Sequence, residues 1–93
     1  MARLTDEQIA TRLEDSEWQR AGDAIERDLR FADFAAAIAF VERVAEAAEE
    51  ANHHPDILVH GWNKVRLTLS THSEGGLTEA DLALAERLDG LVG

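Results

Sequence analysis

The spacing of apolar residues switches between helical and extended periods along this chain, and each switch marks an element. Leu4-Thr5-Asp6-Glu7-Gln8-Ile9 reads as a helix start. Thr5 can cap the Gln8 amide while Gln8 reaches back to Thr5, and Leu4 and Ile9 stand where a hydrophobic staple places them. Ile9 and Leu13 continue one face, so a helix is predicted to about Glu14. From Trp18 to Phe31 the pattern becomes extended around the turn Ala21-Gly22-Asp23. Ile25, Leu29 and Phe31 share one face there, Glu26, Asp28 and Arg30 share the other, and Arg27 interrupts the apolar row.

Helical spacing returns after Asp33, a capping residue. Phe34, Ile38, Val41, Ala45 and Ala48 form a stripe that Ala37 and Val44 widen, which predicts a long helix to about Ala51. Pro55 stops it and biases His54 toward an extended backbone. Asp56–His60 and Trp62–Thr71 read as the arms of a second hairpin bent at Gly61. Val65, Leu67 and Leu69 lie on one face of the longer arm, with Arg66, Thr68 and Ser70 on the other. His72 leaves the strand on that second face. After Glu74-Gly75-Gly76, the run Leu77-Thr78-Glu79-Ala80-Asp81-Leu82 repeats the first helix's start logic, and Leu84, Leu88 and Leu91 carry a last helix.

The predicted order is α-β-β-α-β-β-α. Strands joined by short turns pair antiparallel, so the expected fold is α+β. It has one four-stranded antiparallel sheet with three helices on one face, in a single domain over 1–93. Hydrophobic residues make up 45% of the chain, enough for one core. A net charge of −10 argues against nucleic-acid binding, which requires a basic surface. The absence of cysteine removes disulfides and thiolate chemistry. No apolar signal core opens the chain and no run reaches membrane-spanning length. A soluble, cytoplasmic protein is expected, with no membrane contact.

Chemistry concentrates in the histidines. Asn52-His53-His54-Pro55 holds an adjacent pair, Glu49 precedes His53 by one helical turn, and Ser70-Thr71-His72 ends the strongest strand. Glu49 and His53 at that spacing stack on one helix face. Three readings fit: acid–base catalysis near neutral pH, a metal site of imidazoles and a carboxylate, or ordinary structural roles at a helix cap, a pre-proline turn and a strand end. Adjacent histidines tend to diverge, which is awkward for one ion. His60 reads as a solvated turn residue. Trp18 and Trp62 suit a core or an interface, and either could flank a planar ligand.

Taken together, Glu49, His53-His54-Pro55, Trp62-Asn63-Lys64-Val65, Leu69-Ser70-Thr71-His72 and Gly76-Leu77-Thr78-Glu79-Ala80-Asp81 resemble the pterin-4a-carbinolamine dehydratase family. The likeness extends upstream through Trp18 and Phe31-Ala32-Asp33-Phe34. It implies dehydration of 4a-hydroxytetrahydropterin to quinonoid dihydropterin, recycling a cofactor used by aromatic amino acid hydroxylases, with no metal and no cofactor of its own. It also implies His53, His54 and His72 as catalytic residues, with Glu49, Ser70, Thr71 and Trp18 bordering the pterin. On that basis His54 and His72 are expected to face the reacting edge, with His53, paired to Glu49, supplying or tuning the acid. Asp81 belongs to the pattern as well, although capping alone explains it. Family members form homodimers or homotetramers, and animal relatives also bind a transcription factor, so a non-enzymatic interaction module is the alternative.

Overall fold

A computed structural model describes residues 2–92. The chain runs α1 (Asp6–Leu13), β1 (Gln19–Ala21), β2 (Ala24–Arg30), α2 (Phe34–Ala51), β3 (Asp56–His60), β4 (Lys64–Leu69) and α3 (Glu79–Asp89), with a 3-10 turn at His72–Glu74 before α3. The strands form one antiparallel sheet in the order β1-β2-β4-β3. This is the order and architecture expected from the pattern of apolar residues.

Local chemistry sets the element ends. At α1, Thr5 Oγ1 accepts the Gln8 amide at 3.1 Å and Gln8 Oε1 accepts the Thr5 amide at 2.8 Å, the reciprocal box that satisfies two orphan donors. Asp33 caps α2 through the Ala36 amide at 2.8 Å. The other end of α2 closes at Asn52, which takes the left-handed conformation with φ 50° and ψ 41°. His53 N then bonds Ala48 O and Asn52 N bonds Glu49 O, the pair of contacts of a Schellman motif. Asparagine tolerates that backbone better than most side-chain-bearing residues.

The core lies between the sheet and the helices. Ile25, Val65, Leu67 and Leu69 on the sheet meet Phe40 and Val44 of α2 and Leu88 of α3, all of them buried. The α2 stripe is rotated from the expected one. Ala37, Phe40, Val44, Ala47 and Ala48 are buried, whereas Phe34 is 55% exposed and Ala45 faces solvent. Phe40 is the reason: as the largest side chain in the helix interior it turns its own face inward and stacks on Phe31, ring centroids 5.0 Å apart. The β4 strand is also shorter than the expected Trp62–Thr71. Gly61 and Trp62 both have positive φ, so the hairpin loop extends through Asn63. Asn63 is buried and ties back to Phe31 through its amide and its carbonyl.

Arg27, which interrupts the apolar row, does sit on the core side of β2, opposite Leu67. Its guanidinium pairs with Asp89 of α3, and the same carboxylate oxygen accepts the Trp18 indole N–H at 2.8 Å. Among the described residues, no helix is long and apolar enough to cross a membrane.

Candidate active site

The sheet face away from the helices is open, and His54 and His72 converge at one end of it. The left-handed turn at Asn52 throws the chain out of α2, and Pro55 holds it extended, so His53 and His54 leave in different directions. His54 points over the open face. His72 arrives from the end of β4, where the chain turns into the 3-10 segment. Together with Asp56, Thr68, Ser70 and Asp23 they line a groove of about 280 Å³. That is just below the usual range for small-molecule sites and gives room for a bicyclic ring.

His53 takes the opposite direction, toward α3. Its Nε2 lies 2.5 Å from Asp81 Oδ1. Asp81 is fully buried, and its other oxygen accepts the Thr71 hydroxyl at 2.7 Å and the Thr78 amide at 2.9 Å. A carboxylate that only accepts needs a donor on each contact, so His53 carries its proton on Nε2. The Thr71 hydroxyl also meets that of Thr78 at 2.9 Å. Asp81 therefore ties the end of α2, the end of β4 and the start of α3 to one point directly behind the groove.

The carboxylate partners differ from the expected ones. Glu49 pairs with His54, not with His53. The helical spacing of Glu49 and His53 stops mattering once the Schellman turn redirects the backbone, and the contact moves one residue on. Glu49 and His54 are both exposed, at 76% and 58% of side-chain area, so solvent screens their attraction. Further along the open face, the Arg66 guanidinium bonded to Asp28 holds that carboxyl below its usual range, although both are largely exposed.

The remaining residues divide clearly. Ser70 lines the groove and donates to Asp23 O at 2.8 Å. The side chain of Thr71 faces Asp81, and its backbone pairs with Gly76. Trp18 is in the core, only 2% exposed, and does not line the groove. Trp62 is 61% exposed in the β3–β4 loop and also stands apart from it. Among the described residues, no three His, Asp or Glu side chains gather in a way that would hold a metal ion. Asp81, which sequence spacing assigns to capping, does cap Thr78 and also meets His53. Its position in the family pattern was the signal, but the link to His53 crosses 28 residues.

Residues 2–91 match the family model described as pterin 4 alpha carbinolamine dehydratase. A chain from Nocardia farcinica, provisionally named a pterin-4-alpha-carbinolamine dehydratase, is 57% identical over 90 residues, covering 96% of this chain and 94% of its own. One from Thermomicrobium roseum with the same provisional name is 54% identical, covering 95% of each. The crystal structure of a transcriptional coactivator/pterin dehydratase from Brucella melitensis superposes with a TM-score of 0.90 at 36% identity, over 98% of this chain and 99% of that one. A pterin dehydratase-like protein identified as a RuBisCO assembly factor in the alpha-carboxysome superposes at 0.71 with 30% identity, over 85% of this chain and 93% of that one.

Proposed function

Because the chain belongs to the pterin 4 alpha carbinolamine dehydratase family, we propose that it dehydrates a 4a-hydroxytetrahydropterin to the quinonoid dihydropterin by histidine acid–base catalysis. The observation that carries this reading is the meeting of His54, from a helix end, and His72, from a strand end, in one groove sized for a bicyclic ring.

The reaction loses one molecule of water. The C4a–O bond breaks as a proton reaches the departing oxygen, and the electron pair of N5 fills the vacated carbon. A second proton then leaves the ring system to give the neutral quinonoid product. One group must donate and another accept, and imidazoles do both near neutral pH. His54 and His72 are that pair. Glu49 orients His54 through its Nε2, leaving Nδ1 for the substrate. Ser70 and the backbone at Thr71 border the ring. His53 acts by position: held by Asp81, it fixes the turn that carries His54. In the cell the substrate would come from an aromatic amino acid hydroxylase in the cytoplasm, and the protein would work as a homodimer or homotetramer.

A second reading, a protein-interaction module, draws on the outer face of α2. There Phe34 is 55% exposed beside the half-buried Ile38 and Val41. The two readings separate on His54→Ala and His72→Ala. Loss of dehydration in both, with an unchanged oligomer by light scattering, supports the enzyme. Full turnover in both removes the groove as the site.

A further inference from the structure

The cations of this chain are distributed unevenly. Lys and Arg number 9 against 19 Asp and Glu. Arg12, Arg20, Arg27, Arg66 and Arg87 each sit in an ion pair with a carboxylate. Arg3 donates to the Gly75 carbonyl, and Arg43 lies over the Phe40 ring and reaches the Leu91 carbonyl. Arg30 and Lys64 are left, in no ion pair among the described residues, and they are direct cross-strand partners. His60 stands opposite Lys64 on the other side. Like charges placed opposite one another weaken a strand pair. A chain so rich in carboxylates leaves Arg30 and Lys64 outside any ion pair among the described residues, and Asp28, the carboxylate that lines the same depression, is held by Arg66.

The row runs across the same open face that holds the histidine groove. Thr68 lines the groove, and Lys64 lies four residues back along β4, about 13 Å away at ordinary strand rise. Between the two rows Leu58 faces solvent with 52% exposure, opposite Arg66. Arg66 is engaged on its other side by Asp28. The acidic residues Glu26 and Asp56 lie closer to the groove, opposite Thr68. From groove to row, the track is polar, then carries Leu58 beside the Arg66–Asp28 pair, then turns cationic at Arg30 and Lys64.

Building on the dehydratase reading, we propose that this track is a subsite for the substrate's side chain. It selects reduced pterins whose ring carries an aryl group ending in carboxylates, the folate type, over pterins with a short neutral side chain. The ring occupies the groove, the uncharged aryl group lies on Leu58, and the carboxylates reach Lys64, Arg30 and His60. An anionic group attached directly to the ring substituent would stop short of the row, beside the acidic residues.

Binding of 7,8-dihydrofolate and of tail-less 6-hydroxymethyl-7,8-dihydropterin, followed by calorimetry on the intact protein, tests this. The wild type is expected to bind the dihydrofolate about tenfold more tightly, with the advantage shrinking in high salt. In Arg30→Gln/Lys64→Gln the preference is expected to vanish while affinity for the tail-less pterin stays the same. Both positions are exposed and the change removes repulsion, so the variant is expected to melt no lower than the wild type. Equal affinities in the wild type, or a preference that survives the double substitution, would overturn the subsite alone. A tail-less pterin that fails to bind, or binds equally well to His72→Ala, would overturn the groove reading and the subsite with it.

Discussion

Replacing Asp81 by alanine is the sharpest test of how the site is held, because the chain carries two His–carboxylate pairs that differ mainly in burial. Asp81 is fully buried and accepts from His53, Thr71 and Thr78. Its removal leaves His53 and the Thr78 amide without an acceptor behind the groove, while the Thr71 hydroxyl keeps Thr78 Oγ1. A buried donor left unsatisfied costs about 1–3 kcal/mol, so the two together cost roughly 2–6 kcal/mol. A domain of this size has a total stability of roughly 5–15 kcal/mol, so the loss is a large part of it. At about 4–8 °C per kcal/mol, the melting point should fall by more than ~8 °C. Glu49→Ala removes the carboxylate of His54 in an exposed pair and should cost less than about 1 kcal/mol. Asp81→Asn should fall between them, because His53 can move its proton from Nε2 to Nδ1 and accept from the new amide. Denaturant melts followed by fluorescence of the buried Trp18 give the energies, and nitrogen NMR of His53 reports the tautomer. Equal costs for Asp81→Ala and Glu49→Ala would refute the argument from burial. A His53 tautomer unchanged in Asp81→Asn would refute the assignment of its proton.

Other outcomes follow from the same geometry. Asn52→Ala should destabilise by about 1–2 kcal/mol in urea melts, whereas Asn52→Gly should be close to neutral, because only the left-handed backbone is at issue. Asp89→Ala strips one acceptor from both Arg27 and Trp18 and should cost about 2–4 kcal/mol, with a shift in Trp18 emission. In Arg66→Gln the Asp28 carboxyl should titrate at higher pH by carbon NMR. Since the folded-state value is lowered, the pair's contribution is present above the ordinary carboxylate pKa and is lost as pH falls through the lowered one. Any stability difference between that variant and the wild type should therefore be seen at neutral pH and fade in acid.

Elements whose ends depend on neighbours in sequence were legible before the structure. The capping box at Thr5 and Gln8 and the cap at Asp33 are contacts within one turn, and each lies where local chemistry places it; α2 ends at Ala51 as expected, but the left-handed Asn52 closes it before Pro55 is reached. The inward face of α2 was misread because alanines fit either face. The choice fell to Phe40 packing on Phe31, a contact outside the helix. Arg27 looked like a defect in β2 until Asp89, from the last helix, came to meet it. At the site, helical spacing suggested Glu49 with His53, but the Schellman turn at Asn52 breaks that register and exchanges the partners. Trp18 is aromatic and near the matched segments in sequence, yet the fold spends it in the core.

The central claim is that His54 and His72 make the open end of the sheet a dehydration site. Stopped-flow ultraviolet absorbance, with 4a-hydroxytetrahydropterin generated in place by a hydroxylase, measures it directly. The wild type should accelerate dehydration over buffer, and His72→Ala and His54→Ala should each lose about 10²–10⁴-fold of that rate while melting within ~0.5 kcal/mol of the wild type. A wild-type rate equal to the buffer rate would contradict the claim and leave this fold to some task other than dehydration.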